Sequence, residues 1–80
     1  MREEYTDLYR KLGVRVAMIR NAKQLTQKQV AGLIGSDPYY VSKIESGVVG
    51  QTLDKFFAVA QALGVPPKEL LEFDDIEKFM

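Results

Sequence analysis

Apolar residues recur at three- and four-residue steps along most of this chain, and no stretch alternates apolar and polar residues over five or more positions between turn residues. The pattern predicts helices and no strands. The first helix runs from about Glu3 to Ala22, with Tyr5, Leu8, Leu12, Val16 and Ile19 on one face. Gly13 inside it costs roughly 1 kcal/mol relative to Ala, which points to a close helix–helix approach. Thr26-Gln27-Lys28-Gln29 has the form of a capping box and opens a second helix with Val30, Ala31 and Ile34 inward, stopped by Gly35. Asp37 is a good N-cap and Pro38 suits the first helical position, so a third helix follows after the tight turn Gly35-Ser36-Asp37. It buries Val41 and Ile44 and stops at Gly47. Thr52 caps a fourth helix that carries Leu53, Phe56, Val59, Ala60 and Leu63 inward and ends at Gly64. Val65-Pro66-Pro67 starts a short fifth helix, with Leu70, Leu71 and Phe73 available for packing. The expected fold class is all-α, five short helices.

The length, 80 residues, bounds this to one domain spanning 1–80, with a core over 8–73 and a C-terminal extension over 74–80. No Cys and no His occur, which removes disulfides, zinc-finger ligation, thiol nucleophiles and imidazole bases. The acid pairs Glu3/Glu4 and Asp74/Asp75 lie near the chain ends, where solvation is the ordinary explanation, and no base or nucleophile accompanies them. The sequence therefore predicts a non-enzyme with no cofactor and no metal. No apolar run approaches the roughly 18 residues of a membrane span, and no signal-peptide pattern is present, so the expected location is cytoplasmic, away from the membrane.

Net charge is zero, but its distribution is uneven. From Arg10 to Lys43 there are seven bases and one acid, Asp37; from Gln51 onward there are three bases against six acids. A basic first half suits a polyanion, with the acidic end facing solvent or another subunit.

Two short helices joined by a tight Gly-containing turn form a helix-turn-helix arrangement. The stretch from Leu12 to Phe73 resembles the phage-repressor/Cro-type helix-turn-helix family, also called the Xre family. The resemblance is carried by Leu12-Gly13, Val16, Ile19-Arg20, Leu25-Thr26-Gln27, Val30-Ala31, Ile34-Gly35, Val41-Ser42-Lys43-Ile44-Glu45, Gly47, Leu53, Phe56, Val59, Ala60 and Leu63-Gly64-Val65. It implies a five-helix, lambda-repressor-like domain that binds double-stranded DNA, commonly as a homodimer on a palindromic operator, with the third helix in the major groove. It further implies that Pro38, Tyr39, Ser42 and Lys43 face base edges, and that Gln27, Lys28 and Ser46, with the amides opening the second helix, face phosphates. An ion pair between Arg20 and Glu45, holding the recognition helix to the first helix, is implied in the same way.

Helical spacing agrees with part of this. Tyr39, Ser42, Lys43 and Ser46 fall on one side of the third helix, opposite Val41 and Ile44. Lys43 can donate to guanine O6 or N7, and Tyr39 can offer its hydroxyl or its ring. For Tyr40, packing on the core is an equal reading. Two positions depart from the family pattern: Pro38 offers only apolar contact, and the loop Val48-Val49-Gly50-Gln51 carries no base. Val48, Val49, Phe57, Phe73 and Ile76 are candidates for a dimer interface, the alternative being that they complete the domain's own core. The function expected is a sequence-specific transcriptional regulator, with RNA polymerase or another protein as a further partner. The alternative class is a protein-interaction module, such as an antitoxin with secondary DNA binding.

Overall fold

The computed structural model describes residues 3–74 and is helical throughout, with no strand among the described residues. A 3-10 turn over Glu3–Tyr5 leads into α1 (Thr6–Ala22), followed by α2 (Gln27–Ile34), α3 (Pro38–Ser46), α4 (Leu53–Leu63) and a 3-10 helix over Pro67–Leu71. The local signals act where the sequence places them. Thr26 Oγ1 accepts from the Gln29 amide at 3.0 Å, and the Gln29 side chain accepts from the Thr26 amide at 2.8 Å, which closes a reciprocal capping box on α2. Asp37 accepts from the Tyr40 amide at the start of α3, and Thr52 accepts from the Lys55 amide at the start of α4. At the other ends, Gly35, Gly47 and Gly64 adopt left-handed φ of 71°, 75° and 71°, closing α2, α3 and α4.

Two expectations need correction. The fifth helix is a five-residue 3-10 helix, so four α-helices are present among the described residues. Pro66 and Pro67 stand at the N-cap and first position, where a missing N–H costs no helical bond, and the turn is short because the backbone turns extended at Glu72. Leu53, expected inward, is 69% exposed. It is the first residue of α4, one turn before Phe56, and the helix enters the core only at that residue. A feature that carried no sequence signal is Gln24, which takes a positive φ of 60° in the α1–α2 connection without being glycine.

The core gathers Leu12, Val16 and Ile19 of α1, Val30, Ala31 and Ile34 of α2, Val41 and Ile44 of α3, and Phe56, Val59, Ala60 and Leu63 of α4 around Leu70. Leu70 is fully buried, and the 3-10 helix that carries it is fastened by Arg15, whose Nε donates to the Glu69 carbonyl at 2.8 Å. The closest packing is between α1 and α3. A Cβ on Gly13 would lie 2.5 Å from the carbonyl oxygens of both Ile44 and Glu45, so the absent side chain is what lets the two backbones touch.

Gly13→Ala should therefore force α1 and α3 apart. We expect a loss of about 2 kcal/mol or more, read as a fall of roughly 10 °C in the thermal midpoint. An unchanged midpoint would mean that the two backbones are not held at this distance.

Candidate nucleic-acid interface

The α3 helix has two faces with different fates. Val41 and Ile44 are buried, while Pro38, Tyr39, Ser42 and Ser46 are exposed and Lys43 is half-exposed. Tyr39 is 68% exposed, which leaves its ring and hydroxyl free to meet a partner. One turn later, Lys43 Nζ sits 4.6 Å from the centroid of the Tyr39 ring, so the cation and the ring form one projecting unit. Tyr40 points the other way: it is half-buried against the core, and Lys55 of α4 lies over its ring at 5.6 Å. Ser46 Oγ donates back to the Lys43 carbonyl at 3.1 Å, which leaves its oxygen lone pairs outward.

Beneath this face is a three-residue polar clamp. Arg20, in the last turn of α1, donates through Nε to Glu45 Oε2 at 2.6 Å and through Nη2 to Glu45 Oε1 at 3.1 Å. The side chains of the pair are only 13% and 9% exposed. Arg20 Nη1 donates to the Leu25 carbonyl at 2.8 Å, so the same guanidinium also fixes the entry to α2. Gln27, the first residue of α2, donates from Nε2 to Glu45 Oε1 at 3.0 Å. Fork-to-fork geometry and a third, neutral donor satisfy the carboxylate on both oxygens and tie α1, α2 and α3 at one point. Gln27 therefore commits one of its two amide protons to Glu45 and keeps one outward. Its engagement with Glu45 has no local spacing signal, since 18 residues separate the two. The Tyr39–Lys43 stack, at i and i+4, could have been found from sequence.

The basic first half is thus divided. Arg15 and Arg20 act inside the domain, and Lys11 is paired with Asp7 at 3.3 Å. Arg10, Lys23 and Lys28 remain exposed, and Lys43 is half-exposed over its ring. Of the residues expected at a subunit interface, Val48 and Phe57 are exposed, whereas Val49 and Phe73 are partly buried against the chain's own core. Ile76 lies outside the described residues. Leu71, which belongs to the same late apolar series as Phe73 and Ile76, is exposed as well, and so are Tyr5, Leu8, Leu33 and Leu53, which were not assigned this role. Tyr5, Leu8, Tyr9, Leu12, Leu71 and Phe73 line an open apolar groove of about 270 Å³.

Among the described residues, no group of three or more acidic side chains could hold a metal ion, and no helix is long and apolar enough to cross a membrane. A helix-turn-helix family model matches residues 16–70. The chain is 34% identical over 73 residues to the HTH-type transcriptional regulator y4dJ of Sinorhizobium fredii, covering 91% of this chain and 95% of that protein. It is 37% identical over 65 residues to control protein C.BamHI of Bacillus amyloliquefaciens, covering 80% of each. The restriction-modification controller protein C.AhdI from Aeromonas hydrophila superposes with a TM-score of 0.78 at 38% identity, over 86% of this chain and 99% of that one.

Removing the clamp's acceptor leaves a largely desolvated guanidinium without its charged partner. Glu45→Ala should cost about 2–3 kcal/mol and lower the thermal midpoint by roughly 10 °C or more. A wild-type midpoint in Glu45→Ala would reduce the pair to a solvated surface contact.

Proposed function

The chain belongs to the Xre-type helix-turn-helix family of DNA-binding transcriptional regulators, and from that premise we propose that it reads a palindromic operator as a homodimer with α3 in the major groove. The observation that carries this reading is the exposed polar side of α3, with Tyr39, Ser42 and Lys43 outward over a helix fixed from below by Glu45. Lys43 donates to guanine O6 or N7, its approach limited by the Tyr39 ring. Ser42 supplies a hydroxyl that either donates or accepts. Pro38, exposed at the tip of α3, offers a thymine methyl an apolar surface and no hydrogen bond. The free amide proton of Gln27, the Lys28 ammonium and the first-turn amides of α2 outside the capping box take phosphates, and Ser46 joins them when its hydroxyl proton turns from the Lys43 carbonyl to the phosphate.

Two-fold symmetry supplies the second half-site. In a dimer of this kind the two recognition helices lie about 34 Å apart, one duplex turn, so half-site spacing follows from how the subunits pair. The surface that supports pairing is apolar. Leu53 and Phe57 stand one turn apart on α4, and Leu53 shares a second groove with Leu71. Exposed Val48 extends the apolar surface available to a partner subunit.

Selection of bound duplexes from a random DNA pool tests the reading. The expected product is a set of fragments sharing two inverted half-sites at one fixed spacing; a pool with no shared sequence, or with single unpaired half-sites, would contradict it. On the selected duplex, Lys43→Ala should cost about 1–3 kcal/mol and relax preference at one base position per half-site. Equal weakening on all sequences would place Lys43 on phosphate instead. Sedimentation should give about twice the 9.1 kDa chain mass, and Phe57→Glu should return the monomer.

A further inference from the structure

We propose that Arg10, on the outer surface of α1, is a phosphate-contacting residue beside the loop after α3, which carries no base of its own. Val48-Val49-Gly50-Gln51 contains no cation, although this loop leaves α3 at the edge of the proposed groove-facing surface. The position is not without a cation nearby. Gly47, where α3 ends, packs directly against α1 at Arg10: a Cβ on Gly47 would lie 2.7 Å from Arg10 Cα and 3.1 Å from Arg10 Cγ. Arg10 thereby stands beside the loop in space although it is 37 positions earlier in the chain. The same close approach that Gly13 permits one turn further along α1 sets this register.

Arg10 is also uncommitted. It is exposed and makes no ion pair or side-chain hydrogen bond among the described residues, while Asp7, one turn back on α1, is paired with Lys11. The other two arginines of the described chain, Arg15 and Arg20, are both engaged within the domain. A guanidinium presents a planar fork suited to two phosphate oxygens at once, and its stem can lie along Gly47 while the head reaches outward. The contact would carry no sequence information; it would set the tilt of α3 and raise affinity equally on every duplex.

The inference rests on the DNA-binding reading above, and the test separates the two. Affinity is measured against salt for the wild type, Arg10→Ala, Arg10→Lys and Lys68→Ala, on the selected duplex and on a scrambled duplex of equal length. Melting curves establish that each variant is folded. The expected result is that Arg10→Ala lowers the slope of log affinity against log salt by about 1.8 per bound dimer, about 0.9 for each subunit's contact, on both duplexes, with Arg10→Lys and Lys68→Ala keeping the wild-type slope. Between 50 and 200 mM salt, the ratio of wild-type to Arg10→Ala affinity should then narrow about 12-fold for the dimer. An unchanged slope in Arg10→Ala, with wild-type binding intact, overturns the role of Arg10 alone. A loss of affinity that follows a change in oligomeric state, at constant slope, overturns it in favour of a subunit contact. A wild type that shows no salt-dependent binding to either duplex overturns it together with the reading on which it rests.

Discussion

The Glu45 carboxylate is the point on which the working geometry of this domain depends. It receives two bonds from Arg20 and one from Gln27, and those donors come from α1 and α2. A nine-residue helix such as α3 has little stability by itself, so its direction must come from its supports. Val41 and Ile44 anchor one side in the core, and the clamp adds a second attachment at the last turn. The side chains of the clamp are nearly out of water, where a satisfied ion pair is stiff and a broken one is expensive. Tyr39, Ser42 and Lys43 leave the surface from this braced helix, and on the proposed reading that bracing is what lets them distinguish one base pair from another.

The second constraint is backbone contact. Gly13 and Gly47 lie on opposite partners of the α1–α3 packing, each against the other helix or its end. Together they bring α3 close enough for Arg20 to reach Glu45 and set Arg10 beside the end of α3. Gly47 does two jobs, since its left-handed φ also ends α3. A side chain there would meet the Arg10 backbone and strain the turn together.

Much of this was legible in the sequence because it rests on local chemistry. Thr26, Asp37 and Thr52 each name a helix start, and Gly35, Gly47 and Gly64 each name an end, so α2, α3 and α4 fall where their caps put them. The family resemblance adds the pairing of Arg20 with Glu45, which no local pattern contains. What was not legible depends on where elements end relative to one another. Leu53 fits the inward spacing of α4 but emerges before the core begins. The last helix has the apolar residues of an α-helix, yet only a five-residue 3-10 turn forms before the backbone turns extended at Glu72. Gln27, expected at phosphate, and Arg15, counted only among the bases, also fasten the domain internally, which the sequence does not show because their partners, Glu45 and the Glu69 carbonyl, are distant in sequence. The same blindness conceals the nearness of Arg10 to Gly47.

The central claim is that the Arg20–Glu45 pair gives α3 its discrimination as well as its stability. A double-mutant cycle measures this directly: the ratio of affinities for the selected and the scrambled duplex is determined for the wild type, Arg20→Ala, Glu45→Ala and the double variant, each below its own melting temperature. The account predicts that either single substitution collapses the ratio and that the double variant loses little more than the worse single one. Ratios that stay at the wild-type value, or losses that simply add, would show that the recognition helix holds its aim without the clamp.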